Sequence, residues 1–130
     1  MSILIVASLL FLFGASLASF AGVASHRLRG RPSGQSAWAA LSGRSHCEGC
    51  GAQLTPRELV PVLGWMLIAG RCARCRYRVP AAYPVSEALA GAALVAAFLL
   101  GGWPAIAVVL PVVILLVLLG VVFLAMRGAD

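Results

Sequence analysis

Apolar runs at both ends of the 130-residue chain decide what it can fold into. The first, about Ser2 to Ser25, meets nothing stronger than Ser and Gly, and the last, Ala105 to Met126, stops at Arg127. Each reaches the roughly 20 residues a helix needs to cross a hydrocarbon core. A hydrophobic fraction of 62% and a mean hydropathy of +0.99 are too apolar for an ordinary soluble domain. Between the two runs, Ser86 to Leu100 is shorter, but it becomes a third span when Tyr83, Pro84 and Glu87 lie at the interface. Gly101, Gly102, Trp103 and Pro104 then make the turn into the final helix.

Charge orients these spans. All ten basic residues are arginine, and nine of them, at 27, 29, 31, 44, 57, 71, 74, 76 and 78, fall between the first span and the second. The positive-inside rule makes that loop cytoplasmic. The amino terminus and the Gly-Trp-Pro turn then face outward, and Arg127 returns the carboxyl end to the cytoplasm. A cleaved signal peptide is the rival reading of the first run, since small residues follow it. Such a peptide wants a positive residue ahead of its apolar stretch, and no basic side chain precedes His26.

The loop carries the only four cysteines, as two CxxC pairs, Cys47/Cys50 and Cys72/Cys75, with 21 residues between Cys50 and Cys72. Each pair can bend around a metal as one knuckle, and two knuckles complete a tetrahedral tetrathiolate zinc site. Arg71, Arg74 and Arg76 flank the second knuckle and offset the negative charge of four thiolates. Gly51 follows the first pair, where a knuckle wants a permissive backbone, whereas Arg76 holds the equivalent place after the second. A redox dithiol or disulfide pair, another metal and free thiols are the alternatives, and export of the loop would favour disulfides over zinc. Four cysteines close the coordination shell, so the expected zinc is structural and not catalytic.

The expected fold is thus an α-helical integral membrane protein, with three transmembrane helices and a small cytoplasmic zinc-binding loop domain between helices 1 and 2. Its divisions are residues 1–25, first transmembrane helix; 26–84, cytoplasmic basic loop with the two knuckles; 85–100, second helix; 101–104, turn; 105–126, third helix; and 127–130, cytoplasmic tail. Within the loop, a short helical patch is expected around Ala37 to Leu41. The apolar stretch Leu59 to Ile68 is about half a span long, and it reads as a helix packed on the knuckles or lying in the membrane interface. Gly14, Ala18 and Gly22 in the first span, and Ala88, Ala92 and Ala96 in the second, recur every four residues. Small residues at that spacing let helices approach closely in lipid, so these two faces are expected to meet.

Several chemistries find little support. The arginines need no nucleic acid, because topology and anionic lipid account for a basic loop. His26 and His46 read as solvated or interfacial. Glu87, at the start of the second span, places a carboxylate at the positive end of a helix dipole; an ionisable group at a membrane boundary is also a candidate for function. With one aspartate, Asp130, the 130 residues hold no pair for aspartic acid-base chemistry, and no Gly-rich phosphate-binding turn.

Taken in order, the residues resemble a known family. Gly14, Ser19, Phe20, Val23, Arg27 and Leu28 are similar to the Gly-Ser-Phe…Arg-Leu signature closing the first helix of bacterial prepilin peptidases, the type IV leader peptidases. The likeness continues through Arg44 to Gly51, Leu59 to Trp65, Gly70 to Cys75, and Tyr83 to Glu87, covering about residues 8 to 100. Gly22 stands where the family often has Asn, and Arg29 where Pro often follows Arg-Leu.

The resemblance implies the amino-terminal domain of that family, which carries the two CxxC pairs in a cytoplasmic loop at the bacterial inner membrane. Members cleave leader peptides from prepilins and pseudopilins of type IV pilus and type II secretion systems. Many also methylate the new amino terminus with S-adenosylmethionine, an activity associated with this region. Proteolysis belongs to a following domain with two aspartates, one in Gly-x-Gly-Asp, and neither motif occurs here. The expected function is a stand-alone amino-terminal domain, accessory to prepilin processing and partnered by a separately encoded aspartyl peptidase half. A methyltransferase in its own right and a non-enzymatic zinc-stabilised assembly factor are the alternatives. Cys47, Cys50, Cys72 and Cys75 are the expected metal ligands, with Glu87, Arg71 and Arg27 as further candidate functional residues.

Overall fold

A computed structural model describes residues 2–30, 32 and 34–127. Arg31, the side chain of Arg127 and the expected tail beyond it lie outside the described residues. The described residues form four α-helices, α1 (Ile3–Arg29), α2 (Ala37–Leu41), α3 (Leu63–Leu67) and α4 (Ala82–Arg127), with a 3-10 turn at Pro56–Leu59. Among the described residues there is no strand, only isolated bridges at His46–Gln53 and Arg71–Arg78.

α1 and α4 are long and apolar enough to cross a membrane. Their surfaces are mostly exposed, as lipid-facing helices require and the core helix of a soluble domain does not. α1 runs on past the expected boundary at 25, carrying His26, Arg27 and Arg29 in its last turn. The two arginines suit the negative end of the helix dipole. α4 begins at Ala82, and its helical geometry breaks once, at Gly102 (φ 62°, ψ −154°). That backbone is open to glycine and to almost nothing else. The expected four-residue turn at 101–104 therefore narrows to a single residue. Trp103 and Pro104 are already helical, and proline there follows its preference for a helix's first turn. Phe98 and Trp103 meet edge to face across the break, with ring centroids 5.1 Å apart.

α1 packs along α4, antiparallel by the pairing of Gly14 with Ala90 and Gly22 with Tyr83. The first helix uses the expected small face: Gly14 is buried, and a Cβ there would stand 2.6 Å from the Ala90 carbonyl oxygen. The second does not. Before the break at Gly102 its buried positions are Pro84, Glu87, Gly91 and Leu94, whereas Ala92 and Ala96 are exposed. Gly91 receives Phe11, so one glycine on each helix accommodates the other helix, and the alternating 3-4-3 spacing follows the helix period more closely than a strict interval of four.

Candidate metal centre

The loop between α1 and α4 is built from two copies of one backbone device. In the first, the Cys47 N–H donates to the Ala52 carbonyl (2.9 Å), the Gly51 N–H to the Cys47 carbonyl (2.9 Å), and the Gly49 N–H to the Cys47 sulfur (3.3 Å). In the second, Cys72 donates to Tyr77 (2.9 Å), Arg76 to Cys72 (3.0 Å), and the Arg74 N–H to the Cys72 sulfur (3.4 Å). Both knuckles close with a positive φ at the residue after the pair, 68° at Gly51 and 63° at Arg76. The arginine adopts the left-handed conformation that glycine takes without strain, so the sequence asymmetry does not become a structural one. Gly49 lies beneath Tyr77, where a Cβ would come within 2.7 Å of the tyrosine Cβ, and this close approach stacks one knuckle on the other.

All four sulfurs converge, every pair within 4.8 Å, with Cys47 and Cys75 Sγ at 3.7 Å. A zinc tetrahedron with Zn–S near 2.3 Å has S···S edges of about 3.8 Å, so the cluster has the dimensions of such a site. Cys47 and Cys72 are buried, and Cys50 and Cys75 are exposed. The N–H groups of Cys75 and Arg74 draw the Cys72 thiol down to about 6. The Tyr77 N–H favours the Cys75 thiolate too, but desolvation and the sulfurs of Cys50, Cys47 and Cys72 outweigh it and push that thiol up to about 12. One sulfur ionises readily and another resists, because four anions this close need a cation among them. A divalent metal removes that resistance, and the donor set fits zinc.

A cavity of about 210 Å³ lies beside the cluster, between the last turns of α1, the knuckles, α3 and the start of α4. Glu48, Glu58 and Glu87 line it, three of the four acidic residues in the chain. Glu87 is 8% exposed, and its Oε2 accepts from the Val62 N–H at 2.7 Å. The carboxylate thus holds a loop of the metal domain, a partner that sequence reasoning about its own helix dipole did not identify. Glu58 closes a capping box with Thr55, whose N–H donates at 2.6 Å and holds the Glu58 carboxyl below its usual range.

Glu48, inside the first CxxC, was not among the expected site residues. It pairs with His26 of α1 (3.4 Å) and accepts from Tyr77 (3.2 Å) and Tyr83 (3.3 Å). Its charge and hydrogen bond keep the Tyr77 phenol above its ordinary value. The available signal was scarcity: an acidic residue within a knuckle, in a chain with only four. Trp65 packs over Gly70 and donates from Nε1 to the Val79 carbonyl at 3.1 Å. Arg27 spans α1 and the loop, donating to the carbonyls of Leu41 (3.2 Å), Gly43 (3.4 Å) and Arg44 (3.1 Å). Arg71 is exposed next to its cysteine, and its backbone forms the bridge to Arg78.

A sequence profile described as the Bacterial Peptidase A24 N-terminal domain matches residues 12–100, and the chain belongs to that family. Among curated relatives, the prepilin leader peptidase/N-methyltransferase of Bacillus subtilis (strain 168) is 36% identical over 80 residues, covering 62% of this chain and 30% of the relative. The protein of the same name from Aeromonas salmonicida (strain A449) is 30% identical over 124 residues, 79% of this chain and 43% of its own. A type 4 prepilin-like proteins leader peptide-processing enzyme of Escherichia coli O78:H11 is 36% identical over 73 residues, 56% and 26%. The chain thus spans less than half the length of these relatives. No solved structure matches it.

Proposed function

We propose that this chain serves prepilin maturation at the bacterial inner membrane, as the zinc-organised amino-terminal half of a leader-processing system. The observation that carries the reading is the four-sulfur cluster set directly beside a carboxylate-lined cavity, in a chain of the A24 N-terminal family. Cys47, Cys50, Cys72 and Cys75 would hold the zinc, whose chemistry is to cross-link the two knuckles. Three crossings are proposed, α1, 82–101 and 103–127, with the amino terminus outside and the arginine-rich loop in the cytoplasm. The Gly102 break and the nine loop arginines support that topology.

With a single aspartate among these 130 residues, cleavage itself needs a peptidase half that supplies the aspartate pair. This chain's part is to position the prepilin. Glu48 and Glu58, on a lining that also holds Arg27 and a Glu87 engaged by the Val62 N–H, are the carboxylates suited to a cationic group of the peptide. Co-expression with a prepilin and an aspartyl peptidase half tests this. Leader cleavage should depend on this chain and fall when Cys47→Ser or Cys72→Ser breaks the cluster. Cleavage indifferent to the chain's presence would refute it.

A second reading, N-methyl transfer from S-adenosylmethionine, is favoured by the same lining, because carboxylates around an apolar cavity suit an amine acceptor. Saturable binding of S-adenosylmethionine by the purified protein, alone or with a peptidase half, is its expected sign. Absence of binding in both settings removes it.

A further inference from the structure

The segment 59–70 contains no charged residue, and it leaves five large apolar side chains open: Leu59, Val60, Leu63, Met66 (62% exposed) and Leu67 (71%). A soluble metal domain would bury such a ridge. Its position is not that of a soluble domain either. Leu59 and Pro61 share a groove with Ser16, Ser19 and Phe20 of α1. Ser16 is 13 residues before the end of that helix at Arg29, about 20 Å along its axis at 1.5 Å per residue. The start of the ridge, Leu59 and Pro61, therefore lies alongside the last turns of α1, Ser16 to Arg27, and not beyond its end.

The backbone is prepared for the same surroundings. In hydrocarbon every peptide N–H needs a partner from the protein. The N–H groups of residues 63, 64, 66, 68, 69 and 70 donate to carbonyls of Pro61, Val60, Val62, Gly64, Met66 and Trp65 in turn. Pro61 has no N–H to satisfy. Val62, forced to a φ of 63° that a β-branched residue resists, would be left over, and its N–H takes the Glu87 carboxylate. A buried acid on the sixth residue of α4 thus serves an amide of this turn.

We propose that residues 59–67 form a membrane-inserted element, with Leu63, Met66 and Leu67 in the lipid at the boundary between headgroups and acyl chains. The occupant of the ridge is bilayer lipid, continuous with the lipid around α1 and α4. The inference rests on the membrane reading of those helices.

The chain has three methionines, at 1, 66 and 126, which makes methyl labelling selective. The full protein, carrying 13C-methyl methionine, is placed in nanodiscs, and Met66→Leu assigns the Met66 resonance. Doped 5-doxyl phosphatidylcholine should broaden Met66 at least as strongly as Met126, which is exposed near the end of α4, and an aqueous gadolinium chelate should leave Met66 sharp. Broadening by gadolinium alone would place the ridge in water, and broadening by neither would place it under protein; both overturn the proposal. If Met126 also escapes the lipid radical, the membrane reading itself fails, a result distinct from failure at Met66 alone.

Discussion

Gly14→Ala tests whether the α1–α4 contact rests on backbone proximity. A Cβ at position 14 would lie 2.6 Å from the Ala90 carbonyl oxygen and 3.0 Å from both the Ala90 carbonyl carbon and Gly91 Cα. All three atoms belong to the main chain, so no side chain can rotate aside. Restoring the shortest contact to an ordinary 3.4 Å separates the helices locally by about 0.8 Å. Overpacking of this kind costs about 1–3 kcal/mol. Two other glycines calibrate the effect. At Gly22 the new methyl would meet only the Tyr83 ring at 3.3 Å, which can shift, and at Gly120 it would meet nothing within 4 Å. Gly120→Ala should therefore show only the helix-propensity gain of about 0.5–1 kcal/mol, opposite in sign to Gly14→Ala. Gly22→Ala should fall between them. Reversible unfolding of the three variants in mixed micelles, titrated with dodecyl sulfate, gives the order directly. A Gly14→Ala protein as stable as Gly120→Ala would refute the packing argument.

Three further outcomes are expected. Val62→Gly should stabilise the loop by about 1 kcal/mol by relieving a β-branched residue at positive φ in a tight turn, read as slower amide exchange at 62–70. Metal affinity should depend on pH more steeply below about pH 6 than above it. The Cys72 thiol, lowered to about 6, is ionised above that value and adds one competing proton below it; a competition titration showing no change in slope would contradict this. The Glu58 carboxyl is held below its ordinary range by the Thr55 N–H, so its contribution is present above that range and is lost as the pH falls through the lowered folded value. Thr55 amide protection should accordingly survive mild acidity and disappear in stronger acid.

Much of this arrangement was written locally. Two CxxC pairs at knuckle spacing converge on one point, and the short helix at Ala37–Leu41 is where sequence placed it, begun by a Ser36 hydroxyl that accepts from the Ala39 N–H. What could not be read depends on pairs of distant residues. Helix rotation decides that Gly91, and not Ala92 or Ala96, faces α1, because the large Phe11 needs a matching gap. Glu87 reaches Val62 across 25 residues of sequence, and Glu48 reaches Tyr83 across 35. Neither separation has a periodic signature. The break at Gly102 was visible as a cluster of turn residues, but its narrowness depends on one glycine's backbone freedom.

Glu48 joins three bodies that could otherwise move apart. It touches α1 through His26, the second knuckle through Tyr77 and α4 through Tyr83, while itself lying within the first knuckle. Twisting either long helix about its axis, or tilting the metal domain, breaks at least one of these contacts. Loop and helix pair therefore share one cooperative unit at this end of the molecule. Loss of order at the cysteines should therefore loosen the adjacent ends of α1 and α4, the ends that His26 and Tyr83 tie to Glu48.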